Sequence, residues 1–142
     1  TKKFTFTDGL KSYYDDVEGN EIEITKGEFA LYTGRTTDYK NFEKLKQLMK
    51  ELGIPLIHPN NVSDRIIWEL LSYCKVYVTM SLWEGYGRGV AEASLLNKKV
   101  VAYDVGAHKR HIKKGVCVPL DINNLQKSEE LFKEAVLEVW NR

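Results

Sequence analysis

Two carboxylates flank a run of alternating glycines in the stretch Ser81-Leu82-Trp83-Glu84-Gly85-Tyr86-Gly87-Arg88-Gly89-Val90-Ala91-Glu92. Glycine lets a backbone approach a ligand closely, and the free N–H groups of a first helical turn favour an anion. A diphosphate is the natural guest of such a loop. Carboxylates accept hydrogen bonds from hydroxyl groups. Glu84 before the glycines and Glu92, eight positions later, therefore suit sugars on either side of that diphosphate. A plainer reading has Glu84 capping a helix and Glu92 solvated on it, and the loop alone leaves both readings open. A second stretch, Gly34-Arg35-Thr36-Thr37-Asp38-Tyr39-Lys40-Asn41, supplies cations. Arg recognises phosphate at two points and Lys offers a compact charge, so Arg35 and Lys40 could neutralise a diphosphate leaving group. An isolated Arg and Lys beside a turn are more often ordinary surface charges.

These loops need a frame that brings them together. Phe29–Thr33, Ile54–His58, Val76–Met80 and Val100–Tyr103 are short apolar runs that predict buried strands, and a further strand is predicted at Val116–Leu120. Between them, Phe42, Leu45, Leu48, Met49 and Leu52 recur at helical spacing behind Asn41 as N-cap, and Gly53 with Pro55 stops that helix. Ser63 and Asp64 cap a second helix with an apolar stripe of Ile66, Ile67, Leu70, Leu71 and Cys74. A third helix is predicted over Val90–Leu96, a short one near His108–Lys113 and a terminal one over Ser128–Trp140. Strands alternating with helices predict a Rossmann-like three-layer α/β/α fold with a mainly parallel sheet covered on both faces. In such a sheet, ligands bind beyond the carboxyl ends of the strands, where both candidate loops begin. Residues 29–142 read as this domain. Residues 1–28 read as a linker or an irregular edge segment; they hold seven acids and four bases, and Gly19-Asn20 leads into a half-exposed strand with Ile22 and Ile24.

Composition narrows the classes. The chain has 142 residues, with 21 Lys plus Arg against 20 Asp plus Glu. A net charge of +1 argues against a dedicated nucleic-acid binder. Cys74 and Cys117 lie 43 residues apart with no CxxC, which is neither a metal signature nor a disulfide framework. We expect both as reduced thiols in a cytoplasmic protein. No apolar stretch approaches the roughly 20 residues of a membrane-spanning helix.

The segments GRTTDYKN, VSDRIIWELLSYCKVYVTMSLWEGYGRGVAEA and LLNKKVVAYDVGAHKRHIKKG resemble the C-terminal domain of GT-B glycosyltransferases, the large retaining family that uses nucleotide-sugar donors. The family pattern is Gly-Arg after a strand, a Lys a few residues on, and a Ser-x-x-Glu-Gly-Phe-Gly loop with two glutamates separated by seven intervening residues. A small-residue helix and a Val-Val-Ala strand follow. Glu84 and Glu92 fit the glutamate spacing, with Tyr86 in the Phe position, and the likeness spans about residues 28–120. It departs at Arg88-Gly89, where the family usually has Leu-Pro, and at Gly106-Ala107-His108-Lys109-Arg110, where it often has Gly-Gly and then a Glu.

The resemblance implies one half of a GT-B fold, the half that binds the donor. Arg35 and Lys40 would grip the diphosphate and stabilise charge on the departing nucleoside diphosphate. The Gly85–Gly89 loop, through backbone N–H groups from Tyr86 to Val90, would complete the phosphate site. Glu84 would contact donor-sugar hydroxyls and Glu92 the ribose. Gly34 would line the site, and the loop at 59–62, with Val62, would lie beside the base. Transfer would proceed with retention, by front-side displacement, without a metal or other cofactor. The expected partners are a nucleotide-diphospho-sugar and an acceptor-binding N-terminal domain or separate subunit. The chain, which begins at Thr1, would be a fragment of a two-domain enzyme or a single-domain subunit, a hexosyltransferase type inactive on its own. The alternative is a non-catalytic nucleotide or nucleotide-sugar binding module.

Other features carry less. Lys98–Lys114 holds six bases and one acid, a patch that could meet anionic lipid but reads better as a solvated face. His108 and His111 are three apart without a third ligand nearby and read as a surface pair. Trp68 and Trp140 sit on apolar helix stripes and read as core or interface, and Trp83 either closes over the donor or packs in the core. A receiver-type domain would want an acidic cluster after its first strand, where this chain is basic. An NAD-binding domain would want a glycine fingerprint there, where this chain has only Gly34.

Overall fold

A computed structural model describes residues 11–15, 19–59 and 62–142. Among these residues, seven strands and five α-helices follow in order: β1 (Lys11–Asp15), β2 (Glu21–Thr25), β3 (Ala30–Leu31), α1 (Phe42–Leu52), β4 (Leu56–Ile57), α2 (Asp64–Tyr73), β5 (Val76–Thr79), α3 (Arg88–Leu95), β6 (Lys99–Tyr103), α4 (His108–His111), β7 (Lys114–Val118) and α5 (Leu125–Trp140). Strands β3 to β7 form one parallel sheet in the order β4-β3-β5-β6-β7. The predicted Rossmann-like α/β/α architecture is the observed one. None of the described helices is long and apolar enough to cross a membrane.

That order fixes where a ligand can lie. From β3 the chain passes through α1 to β4, on one side; from β5 it passes through α3 to β6, on the other. Right-handed crossovers running in opposite directions place their helices on opposite faces of the sheet. Salt bridges from Lys44 to Glu129 and from Lys133 to Glu51 join α1 and α5 on one face. The two connections part between neighbouring β3 and β5, and a crevice opens above their carboxyl ends.

The strands are apolar because both faces are covered. All four residues of β5 are buried, as are Val100 to Tyr103 in β6. Helix α1 adds Phe42, Leu45, Leu48 and Met49, and α5 adds Phe132, Ala135, Val136 and Val139. Each large apolar side chain among them contributes roughly 1.5–3 kcal/mol on burial.

Several boundaries differ from expectation, each for a local reason. Asn41 stands at the N-cap of α1 in the left-handed region (φ 59°), and its side chain makes no cap hydrogen bond; Ser63 makes none at α2 either. Gly53 does end α1: at φ 68° it lets Ile54 N–H reach back to the Met49 carbonyl at 3.1 Å. Helix α3 starts at Arg88 rather than Val90, because glycines carry its first turn. Strand β7 starts at Lys114 rather than Val116. Gly115, at φ 110°, pairs with Val100 so closely that any side chain would strike the Val100 backbone. Helix α5 begins at Leu125, capped by the Asn124 side chain accepting from Lys127 N–H; Ser128 instead uses its hydroxyl to hold Asp121 N–H at 2.9 Å.

The N-terminal segment forms a separate antiparallel pair, β1 with β2. Ile24 is 2% exposed and joins the core, and Gly27 N–H donates to the Tyr73 carbonyl at 2.7 Å. Residues 1–10 and 16–18 lie outside the described residues, as do residues 60 and 61 of the loop expected beside a base.

Candidate functional site

A cleft of about 570 Å³ opens above the carboxyl ends of β3 and β5. Its walls come from the loop after β3, the loop after β5, the first turns of α2 and α3, and His108 beyond β6. Of the residues singled out from the sequence, Gly34, Arg35, Lys40, Glu84, Gly87, Arg88, Gly89, Val90 and Glu92 all line it. Three do not. Val62 is half-buried against the core. Gly85 faces outward, its carbonyl accepting from Ala107 N–H at 3.1 Å. Tyr86 is 67% exposed, its ring edge-on to His111 at 4.6 Å.

Lys40 and Glu84 meet across the crevice, Nζ to Oε2 at 2.6 Å, with side chains only 14% and 15% exposed. The contact occupies one of three ammonium hydrogens and one carboxylate oxygen, so both groups keep capacity for a ligand. A 3₁₀ turn over Asp38–Lys40 delivers Lys40 to this place. Arg35 is held by its backbone: Tyr32 Oη donates to the Arg35 carbonyl at 2.5 Å, and His58 Nε2 lies 2.8 Å from the Gly34 carbonyl. Behind this turn Tyr32 stacks on both Phe42 and His58, which tilt against each other, and a side chain at Gly34 would run into the Tyr32 ring. The Tyr32 hydroxyl is pushed well above its usual range, chiefly by burial.

Gly87 is the N-cap of α3, left-handed at φ 75°, and provides no side-chain cap. The first N–H groups of α3 thus face the cleft with a helix dipole behind them, the local requirement for an anion. Gly89 must be small, because a Cβ there would collide with the Tyr77 hydroxyl and lie 3.1 Å from Thr33 Oγ1. That hydroxyl is 3.0 Å from Thr33 Oγ1, and burial pushes its pKa up to about 12. Arg88 turns to Glu92 (Nε to Oε2 3.4 Å) with its side chain 83% exposed. Glu92 is more enclosed, at 20%. Among the described residues around the cleft, Arg35, Lys40 and Arg88 stand against Asp64, Glu84 and Glu92, three charges of each sign.

Composition and periodicity missed several wall residues. Trp68 is 40% exposed and lines the cleft with Asp64 and Ile67, so of the two readings of its stripe, core or interface, it is not core. Trp83 is 65% exposed on the rim, edge-on to Tyr39 at 5.8 Å, and is not packed inside. His108 is 1% exposed, which overturns its reading as a surface residue; His111 alone reaches outward, 2.8 Å from the Tyr86 carbonyl. Helical spacing cannot show where Trp68 and His108 lie, because that depends on which helix face meets the sheet edge; Trp83 lies in the loop between β5 and α3, beyond the reach of periodicity.

No group of three or more metal-ligating side chains occurs among the described residues. Cys74 is buried and Cys117 half-buried, both free, with pKa values pushed up to about 12 and about 11 chiefly by burial.

A parallel sheet whose connections part above the carboxyl ends of β3 and β5 places the chain in the Rossmann-like class of α/β domains. The chain belongs to the family described as glycosyl transferases group 1, whose model matches residues 34–138. Among solved structures, it is similar to a pneumococcal O-GlcNAc transferase, GtfA, in complex with UDP and GlcNAc: 16% identity, TM-score 0.65, covering 94% of this chain and 32% of that one. It is also similar to a chain of a GtfA/B complex: 15% identity, TM-score 0.63, covering 82% of this chain and 30% of that one. The chain thus spans about a third of the length of these structures, and at these identities the likeness shows the fold. A search of curated protein sequences found no match.

Proposed function

We propose that this chain is the donor-binding half of a retaining glycosyltransferase that takes a nucleotide-diphospho-sugar. The observation that carries the reading is the meeting of Lys40 and Glu84 at 2.6 Å beside Arg35 and the uncapped start of α3. Cations, open N–H groups and a hydroxyl acceptor converge on one crevice. In this reading the diphosphate lies on the first turn of α3. Arg35 and Lys40 take up the charge that grows on it as the sugar leaves. Charge placed in advance of the reaction can supply more of a rate enhancement than any other single effect. Glu84 keeps free lone pairs for sugar hydroxyls while its bond to Lys40 holds it in position. Glu92, braced by Arg88, serves the ribose. The base rests towards Asp64, Ile67 and Trp68. The chain's own residues supply the leaving-group charge without a metal, and the acceptor comes from a further domain or a partner subunit facing the rim at Trp83 and Tyr39.

The basic run does not form one surface. Lys98, Lys99 and Lys114 lie at the amino ends of β6 and β7, whereas Lys109 and Arg110 ride on α4 beyond the carboxyl end of β6. That division favours solvated charge over a lipid-binding face.

Calorimetric titration with UDP, GDP and ADP tests the proposal. One nucleoside diphosphate should bind saturably, and Arg35→Ala or Lys40→Ala should weaken it by about 1–3 kcal/mol. Unchanged affinity in both variants would remove these residues from the site.

A further inference from the structure

We propose that His108 is a specificity-determining residue of the donor site, its Nε2 accepting a hydrogen bond from a hydroxyl of the donor sugar. The inference rests on the donor-site reading above. The ring is buried, yet it forms part of the cleft wall. Its Nδ1 lies 2.9 Å from the Tyr103 carbonyl. A carbonyl oxygen only accepts, so Nδ1 carries the hydrogen, and Nε2 of the neutral ring is then a bare acceptor. That atom is buried with no hydrogen-bond partner among the described residues. Burial also disfavours protonation of the ring; the Tyr103 carbonyl and Glu84 oppose that effect, while His111 and Lys40 add to it.

A buried polar atom without a partner calls for an explanation. Gly87 gives part of it. A Cβ at Gly87 would sit 2.6 Å from His108 Cδ2 and 2.9 Å from Nε2, so only a glycine lets the Gly85–Gly89 loop pass this close to the ring. The missing partner must bring a hydrogen. An ionised phosphate oxygen has none and would set acceptor against acceptor; a hydroxyl fits.

Position selects which hydroxyl. The loop leading into α4 packs against the loop after β5: Ala107 N–H bonds the Gly85 carbonyl at 3.1 Å, and a side chain on Gly106 would strike the Glu84 carbonyl. His108 therefore shares an end of the cleft with Glu84, across the α3 start from Asp64 and Trp68 on α2. Two acceptors at one end, a carboxylate and an imidazole nitrogen, suit a ring bearing several hydroxyls. The sugar lies there, and the base lies opposite.

His108→Asn keeps an N–H for the Tyr103 carbonyl and removes the Nε2 acceptor. Its affinities for UDP, GDP and ADP, and for UDP-glucose, UDP-N-acetylglucosamine, GDP-mannose and ADP-glucose, are compared with those of the wild type. We expect unchanged affinity for the preferred nucleoside diphosphate and roughly tenfold weaker binding of its sugar conjugate. Equal loss for both ligands, or loss for neither, overturns the proposal. A second readout needs no variant. In the wild type, the Nε2 ¹⁵N resonance should move when the nucleotide sugar is added and stay when the nucleoside diphosphate alone is added; a resonance unmoved by bound nucleotide sugar overturns it. A wild-type chain that binds no nucleoside diphosphate overturns the donor-site reading itself, and this proposal with it.

Discussion

Lys40 and Glu84 are mostly enclosed, so neither is well solvated if its partner is removed. Breaking such a pair leaves an uncompensated charge, though the remaining exposure tempers the penalty. We expect Lys40→Met or Glu84→Gln to lower stability by about 1–2 kcal/mol each. The double variant should lose less than the sum, because the second change removes a charge already stranded. Urea unfolding of the four proteins checks this, and strict additivity would mean that the pair is not coupled in solution. His108 makes a pH prediction. Its folded-state pKa lies below the ordinary 6.5, mainly because burial disfavours the charged ring. The unfolded chain therefore takes up the proton first as pH falls below about 6.5, and stability drops until the folded-state value is reached. The melting temperature of the wild type should decline more steeply between about pH 7 and pH 5 than that of His108→Asn. Equal slopes would show that other groups govern the acid side.

At the scale of elements, the start of α3 depends on a side chain from β5. The Tyr77 hydroxyl and Thr33 occupy the space that any side chain at Gly89 would need. Gly89→Ala should therefore lower stability by about 1–3 kcal/mol, with weaker nucleotide binding as the first turn shifts. Adding Tyr77→Phe, which removes the oxygen in the way, should restore part of both losses; no recovery in the double variant would place the fault elsewhere. This contact also shows what the sequence conveys and what it hides. Alternating strands and helices, and the glycine loop between two carboxylates, are local patterns and were legible. The Gly89 requirement was not, since Tyr77 lies twelve residues away and reads as one more apolar strand residue. His108 is misread for the same reason: the two residues that follow it, Lys109 and Arg110, are exposed, and only the packing of α4 against the β5 loop buries it. The two-residue ladders of β3 and β4 were overdrawn as longer strands because apolar runs continue past the hydrogen-bonded part.

For the molecule as a whole, the N-terminal pair is tied to the core by Ile24. If that contact is part of the cooperative unit, Ile24→Ala should lower unfolding stability by about 2–4 kcal/mol without changing nucleotide affinity. A change below about 0.5 kcal/mol would make the segment an independent appendage. The matching of charges around the cleft bears on encounter kinetics. Three cations against three carboxylates among the described residues leave little net field reaching into solvent, so on the proposed function a nucleotide would gain little from long-range steering and meet its attraction only on arrival. Capture should then change little with ionic strength, unlike that of a purely basic phosphate groove. A spent nucleoside diphosphate would leave through water that does not pull it back.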